Sequence, residues 1–511
     1  MKSAILVMAM IAVVASGAFA DVTLPKILGD NMVLQQGAKI VIWGKADASE
    51  KVSVTLGKAH AVATADDKGN WKVNFSPMAA SNQPIEMTVA GKNTLKVSNI
   101  LVGEVWVCSG QSNMAFSVSE ANDAQNEIAS ADYPQIRLMQ VPNLRTEQPR
   151  ENIGAAWLLC SPKTVGAFSA VGYFFGRDIH KQLKVPVGLI NSSVNGTLIE
   201  AWTAPASYLN DPDLSEFGAL IEQEDKNLPA AREAYKNKLD QWKTTTQAIA
   251  ATEPTARLPA VPHEPMSGKE KYGGLYNGMI AGLTQYAIGG VIWYQGESNA
   301  GNAAPYRKQL PAMIRGWRQA WGSEFPFVFV QLANFISRKV DPNAKSGWAE
   351  VRDAQTQTLS LPKTGMAVII DKPEGTNIHP RDKQTVGKRL ALAALAVAYG
   401  RKDIVWQGPM FESMKSDGAR LIVKFKNANG GLVNKGESIT GFAIAGADGK
   451  YFWADATIEG DSTTLTCKDV AKPVAVRFML VDNPKCSLYN KADLPACPFR
   501  AGEESFVPAT N

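Results

Sequence analysis

Between residues 21 and about 100, apolar and polar positions alternate in short runs. Examples are Lys39-Ile40-Val41-Ile42-Trp43, Val52-Ser53-Val54-Thr55-Leu56 and Trp71-Lys72-Val73-Asn74-Phe75. Such alternation turns one face of a strand to a core and the other to water. Turn signals, such as Asp66-Asp67-Lys68-Gly69-Asn70, separate the runs. Short strands at this spacing predict an N-terminal β-sandwich over 21–100. Past that point the pattern changes. Apolar strand-like runs at 100–108, 185–191, 290–294, 325–332 and 366–371 alternate with helix-like runs at 167–183, 275–286, 305–321 and 383–399. That order predicts an α/β domain over 101–400, built on a largely parallel sheet. A charged, helix-prone stretch and a Pro- and Ala-rich stretch interrupt it at about 207–271, which reads as an inserted helical hairpin plus a loop. Alternation returns in Leu421–Phe425, Phe442–Ile444 and Val474–Phe478, so 401–511 is expected to be a C-terminal β-rich domain.

The first twenty residues obey a different logic. Lys2 precedes an apolar run at 4–14, and Ala18-Phe19-Ala20 closes the segment. A basic start, a short apolar core and a small-x-small end predict a signal peptide cleaved after Ala20. The run is short for a membrane span, which needs about 20 apolar residues, and no later stretch is long and apolar enough. The expected product is secreted or periplasmic, with no membrane span after cleavage.

Composition narrows the class. The chain has 511 residues, 45% hydrophobic and 20% charged, which excludes collagen-like, disulfide-dense and disordered chains. A net charge of +5 is too mild to imply a nucleic-acid partner. Export permits disulfides, and Cys486 and Cys497, flanking a turn-rich stretch, are the candidate pair. Cys108 lies inside an apolar strand, where a buried inert thiol is expected. No Cys or His spacing matches a metal site.

Candidate chemistry gathers where predicted strands end. Parallel α/β sheets place ligands at the carboxyl ends of their strands. There the segment Val107-Cys108-Ser109-Gly110-Gln111-Ser112-Asn113-Met114 ends a strand in a Gly-permitted turn followed by a serine. Such a serine either meets oxyanion-stabilising N–H groups as a nucleophile or, as Ser112 or Ser109, merely caps a helix. It is not the GxSxG elbow. A serine nucleophile needs a base. Of the four histidines, His60 lies in the N-terminal β region, His180 on a helix and His263 in the Pro-rich insert. His379 alone comes after a strand and before a long helix. Two other strand ends face the same side. Gly196 there can offer a backbone N–H, and Gln295 a side-chain amide.

Taken together, Gly110-Gln111-Ser112-Asn113-Met114, Trp293-Tyr294-Gln295-Gly296-Glu297-Ser298-Asn299 and Ile378-His379-Pro380 with Lys383 resemble the sialate O-acetylesterase family of the SGNH-hydrolase superfamily. Further matching stretches are 188–193, 199–202, 275–280 and the tail 488–500. The resemblance implies a flavodoxin-like SGNH core with additional β-sandwich domains. It implies Ser112 as acyl nucleophile, His379 as base, and an oxyanion hole of Ser112, Gly196 and Gln295. It also implies an O-acetylated sugar, sialic acid in particular, as substrate, with no metal or organic cofactor. The chain departs from the family at Val194-Asn195-Gly196, where relatives often carry Trp-Gly-Gly. It departs again at Asn377 and Thr376, where relatives or the wider superfamily place an Asp before the His. Asp371, at a strand end, is then the candidate third member, Glu297 is a brace for the Gln295 loop, and a carbonyl near Thr376 is another way to orient the ring. Two alternatives stay open: the same chemistry on acetylated plant polysaccharide such as xylan, and a sugar-binding protein with an inactive core. Arg307, Arg352 and Arg381 are the candidate partners for a sialic acid carboxylate.

Overall fold

A computed structural model describes residues 21–253, 255–256, 258–335, 341–375 and 377–502. The expected signal segment 1–20 and Thr376 lie outside the described residues. The spine of the molecule is the 17-residue strand Thr94–Gly110. Its first residues alternate between exposed and buried. From Ile100 to Gly110 every residue is buried, as expected where neighbours and helices cover both faces.

The strand belongs to a mixed sheet of eleven strands. The main run reads Thr364–Val368, Phe327–Gln331, Gly290–Tyr294, Thr94–Gly110, Val187–Ser193, Tyr133–Gln140 and Trp157–Cys160. Its strands are parallel except the last, an antiparallel edge. Register aligns the strand ends. Gly110 pairs with both Ser193 and Tyr294, so three neighbouring strands finish at one level. Helices Ala170–Leu183 and Lys383–Val397 pack closely, because a Cβ on Gly387 would fall 2.6 Å from that of Phe174.

The N-terminal strands do not stand apart from this sheet. Ser81–Ala90 pairs antiparallel, and Val33–Gln35 parallel, with the spine, which runs through position 100 without a break. Ile40–Lys45 and Asn70–Phe75 form a separate pair. On the C-terminal side lie two four-stranded sheets. Phe425, Phe442, Phe478 and Phe499 pack between them. Arg352, fully buried, ties this part to the core. It donates to the carbonyls of Leu332 and Ala333 on one side, and of Val481 and Asp482 on the other.

Three expectations need correction. The insert holds one long helix, Ser215–Thr252, not a hairpin. Among the described residues, the next helix is the short Gly268–Lys271. Pro259, Pro262 and Pro265 lack the donors a second helix requires, and Trp242 Nε1 pins the return by a bond to the Pro259 carbonyl at 2.8 Å. The helix expected at 275–286 is instead a π-helical turn, Tyr276–Ile280, followed by a 3-10 turn. Cys486 and Cys497 are both free thiols. Cys497 Sγ turns to Gln331 Nε2 and Thr356 Oγ1, at 3.5 and 3.4 Å, while Cys486 turns to the Leu488 carbonyl. Cys108 is buried, and desolvation pushes its thiol far up, away from the reactive thiolate.

Candidate active site

The spine strand ends at Gly110, whose φ of +136° only glycine adopts freely. A Cβ there would also strike the Tyr294 carbonyl oxygen at 2.1 Å. The chain therefore turns tightly against the neighbouring strand and enters the short helix Ser112–Ala115 at its first residue. A first-turn N–H has no intrahelical acceptor, so the Ser112 backbone donor stays available. His379 Nε2 lies 2.8 Å from Ser112 Oγ, which is hydrogen-bonding distance. Burial first, then the Lys383 cation, lowers the His379 pKa, while Glu120 opposes them. Both effects favour the neutral imidazole.

The remaining residues singled out from the sequence divide clearly. Gly196, at φ +66°, is exposed at the end of the adjacent strand, with open space where a Cβ would be. Gln295 lies in the same layer but is not free to meet an oxyanion. Its Nε2 donates to the Thr197 carbonyl at 3.0 Å and to Asn299 Oδ1 at 2.7 Å, and its Oε1 accepts from Tyr306 OH at 3.0 Å. It is completely buried, and its bond to Thr197 holds the loop that carries Gly196.

Asp371 is not brought to His379 either. Arg389 grips both of its oxygens, at 2.6 and 2.8 Å, in a buried bidentate pair. Asn377 serves the loop rather than the ring: its Oδ1 accepts the His379 backbone N–H at 3.0 Å. No hydrogen bond reaches His379 Nδ1 among the described residues. Glu120, the acid whose charge acts on the ring, holds Ser117 through Oε2, accepting from its N–H at 3.0 Å and its hydroxyl at 2.6 Å.

Beneath the pair lies a polar layer that sequence reasoning passes over. Asn113, buried directly after Ser112, donates from Nδ2 to Glu297 Oε1 at 2.7 Å and to the Ile378 carbonyl at 3.0 Å. Its Oδ1 accepts from Lys383 Nζ. Lys383 is fully buried, with its ammonium 4.7 Å from the Phe116 ring centre and 5.3 Å from that of Tyr294. Burial pushes its pKa down to about 7 and raises that of Glu297. Asn113 and Lys383 both stand inside the motifs, one beside the serine and one four positions after the histidine. Those positions are the available signal. Among the described residues, no cluster of His, Cys, Asp and Glu could hold a metal ion, and no helix is long and apolar enough to cross a membrane.

A solved carbohydrate acetylesterase from Xanthomonas citri is similar across 95% of this chain and 100% of its own, at 34% identity and a TM-score of 0.80. The molecule is an esterase of the carbohydrate-acting class. The sequence model of the family described as carbohydrate esterase, sialic acid-specific acetylesterase matches residues 102–251 and 260–396. Sialate O-acetylesterase of Rattus norvegicus is 30% identical over 97% of both chains. That of Homo sapiens is 31% identical over 93% of this chain and 91% of its own. The chain belongs to the sialic acid-specific acetylesterase family.

Proposed function

We propose that this carbohydrate O-acetylesterase is exported and removes acetyl groups from sialic acids by a Ser-His acyl-enzyme mechanism. The 2.8 Å contact between Ser112 Oγ and His379 Nε2 carries the reading. Ser112 attacks the acetyl carbonyl while His379 takes its proton. The N–H groups of Ser112 and Gly196 receive the oxyanion. His379 then gives the proton to the departing sugar hydroxyl. Water, activated by the same imidazole, releases acetate from the acetyl-enzyme. The parallel strands around the spine are read as the flavodoxin-like SGNH core, flanked by β-rich parts at 21–100 and 401–511, with residues 1–20 as the export signal.

One side chain supports a carboxylate-bearing sugar. Arg381, exposed and two residues after His379, engages only its Nε, with the Glu120 carbonyl at 2.9 Å. Arg307 is paired with Asp353, and Arg352 is saturated by carbonyls. Arg381 is thus the side chain read as meeting the sialic acid carboxylate. Acetate release from O-acetylated sialic acid is the test. Ser112→Ala should lose on the order of 10⁴-fold or more in rate. Equal rates in both proteins reject Ser112. Arg381→Met should raise KM for the sialic acid and leave acetylated xylo-oligosaccharide unaffected. An equal effect on both sugars removes the argument for sialic acid.

A further inference from the structure

Among the described residues, no carboxylate hydrogen-bonds the imidazole of His379. Asp371 belongs to Arg389, Asn377 to the backbone, and Glu120 to Ser117. The loop is nevertheless anchored from below. Asn113 grips the carbonyl of Ile378, the residue joined directly to His379, at 3.0 Å. An amide can face two ways, and its neighbours choose one. Lys383 is donor-only and binds Oδ1, while the Glu297 carboxylate accepts from Nδ2, so the donor end must face Ile378 and Glu297. The serine side is locked by the same residue, since Asn113 comes directly after Ser112 in the chain. Electrostatics run along the same path. The Lys383 ammonium lies against one ring, Phe116, whose centre is 6.3 Å from that of His379 at an interplanar angle of 32°.

We propose that Asn113, Lys383 and Glu297 form a buried positioning network for the histidine loop: Asn113 fixes where the imidazole sits, and the Lys383 cation keeps it neutral at rest. The inference rests on Ser112 and His379 being the reacting pair. An acidic partner orients the ring and favours imidazolium. This network orients the loop and disfavours imidazolium, so the base remains competent in more acidic solution. The charged groups that bear on it are Lys383 and Glu120 at the ring, and Glu297, Glu374, Asp382 and Glu120 around Lys383. Arg381 stands two residues along the loop. Lys383 remains a cation through the acid range, because its own pKa is about 7.

The experiment compares pH profiles of kcat/KM for the wild type, Lys383→Met, Lys383→Gln and Lys383→Arg. Loss of the cation should move the acid limb upward by at least about half a pH unit, while Lys383→Arg keeps the wild-type limb. A general loss of packing would lower rates at every pH without moving the limb. Lys383→Gln keeps a donor for Asn113 and guards against a variant that fails to fold. The same shift is readable without turnover, by NMR titration of the imidazole in a Ser112→Ala background, where only four histidines need assignment. Asn113→Ala should lower kcat about tenfold or more at unchanged KM. Limbs of Lys383→Met and Lys383→Gln coinciding with the wild type overturn the network's electrostatic role. Unchanged kcat in Asn113→Ala overturns its positioning role. His379→Ala separates the premises: full activity there rejects the reacting pair itself, whereas an inactive His379→Ala with an unmoved Lys383→Met limb rejects only the network.

Discussion

Two polar networks lie under the same strand ends and are built in opposite ways. Around Gln295, the bonds to Thr197, Asn299 and Tyr306 use both amide hydrogens and the amide oxygen. Asn299 is satisfied in turn, by the Ile199 N–H at 3.0 Å and by Glu200 at 3.0 Å. Around Asn113 the groups are ionisable and short of partners. Among the described residues, Glu297 Oε2 is buried with none, and Lys383 has one hydrogen-bond acceptor plus two ring faces. A fully satisfied buried network rigidifies its surroundings, whereas an under-satisfied one costs stability and is kept where it does something else. The Gln295 network is therefore scaffold for the Gly196 loop, and the Asn113 network acts on the histidine.

The contrast breaks first at its strongest point. Gln295→Ala removes the hub: the Thr197 carbonyl loses its donor, while Asn299 Oδ1 keeps the Ile199 N–H at 3.0 Å and Tyr306 OH keeps the Gln295 carbonyl at 3.2 Å. That buried acceptor costs about 1–3 kcal/mol and the truncated side chain leaves a cavity besides, so a loss on the order of 2–4 kcal/mol is expected in chemical denaturation, with rates falling as the Gly196 loop loosens. A midpoint equal to that of the wild type shows that Gln295 is no scaffold. Asp371→Asn comes next. It leaves Arg389 without its anion in a buried place, which costs about 3 kcal/mol. The acid limb of kcat/KM should stay where it is, because the carboxylate does not touch the imidazole. A moved limb restores Asp371 as the third member.

Much of this is legible in the chain. Strand runs such as 290–294 and 421–425 are readable because burial on one or both faces imposes a period or a continuous apolar stretch. Ser112, His379 and Gly196 are legible because strand ends in a parallel sheet converge, so position along the chain predicts proximity in space. The mismatches share a cause. Sequence shows what an amide or a carboxylate can do. What Gln295 and Asp371 are already doing depends on Tyr306 and Arg389, partners 11 and 18 residues away. Separation along the chain brings Cys486 and Cys497 close on paper, whereas their side chains face different neighbours. The insert is one helix, Ser215–Thr252, with Pro229 inside it, because the charge pattern shows helix but not where the chain turns back. Asn113 and Lys383 are visible as letters, but their junction spans 270 residues.

The finest distinction concerns Glu297, whose carboxyl is raised in pKa chiefly by burial. A carboxyl with a raised native pKa binds its proton in the folded state after the unfolded chain has released it. Stability must then fall as pH rises above about 4.5, and keep falling until the native group ionises. Glu297→Gln cannot titrate, yet its amide oxygen still accepts from Asn113 Nδ2. Near pH 4 the variant and the wild type should melt within a degree or two of each other, a difference of less than about 1 kcal/mol. Above about pH 4.5 the variant should gain on the wild type until the native carboxyl ionises, and its anchored His379 loop should preserve kcat. Parallel melting curves across that range would mean that Glu297 is ionised as readily as in water and is held by Lys383 as a salt bridge. In that case the network would be stabilised by its charges, and the contrast with the Gln295 side would be one of chemistry alone, not of satisfaction.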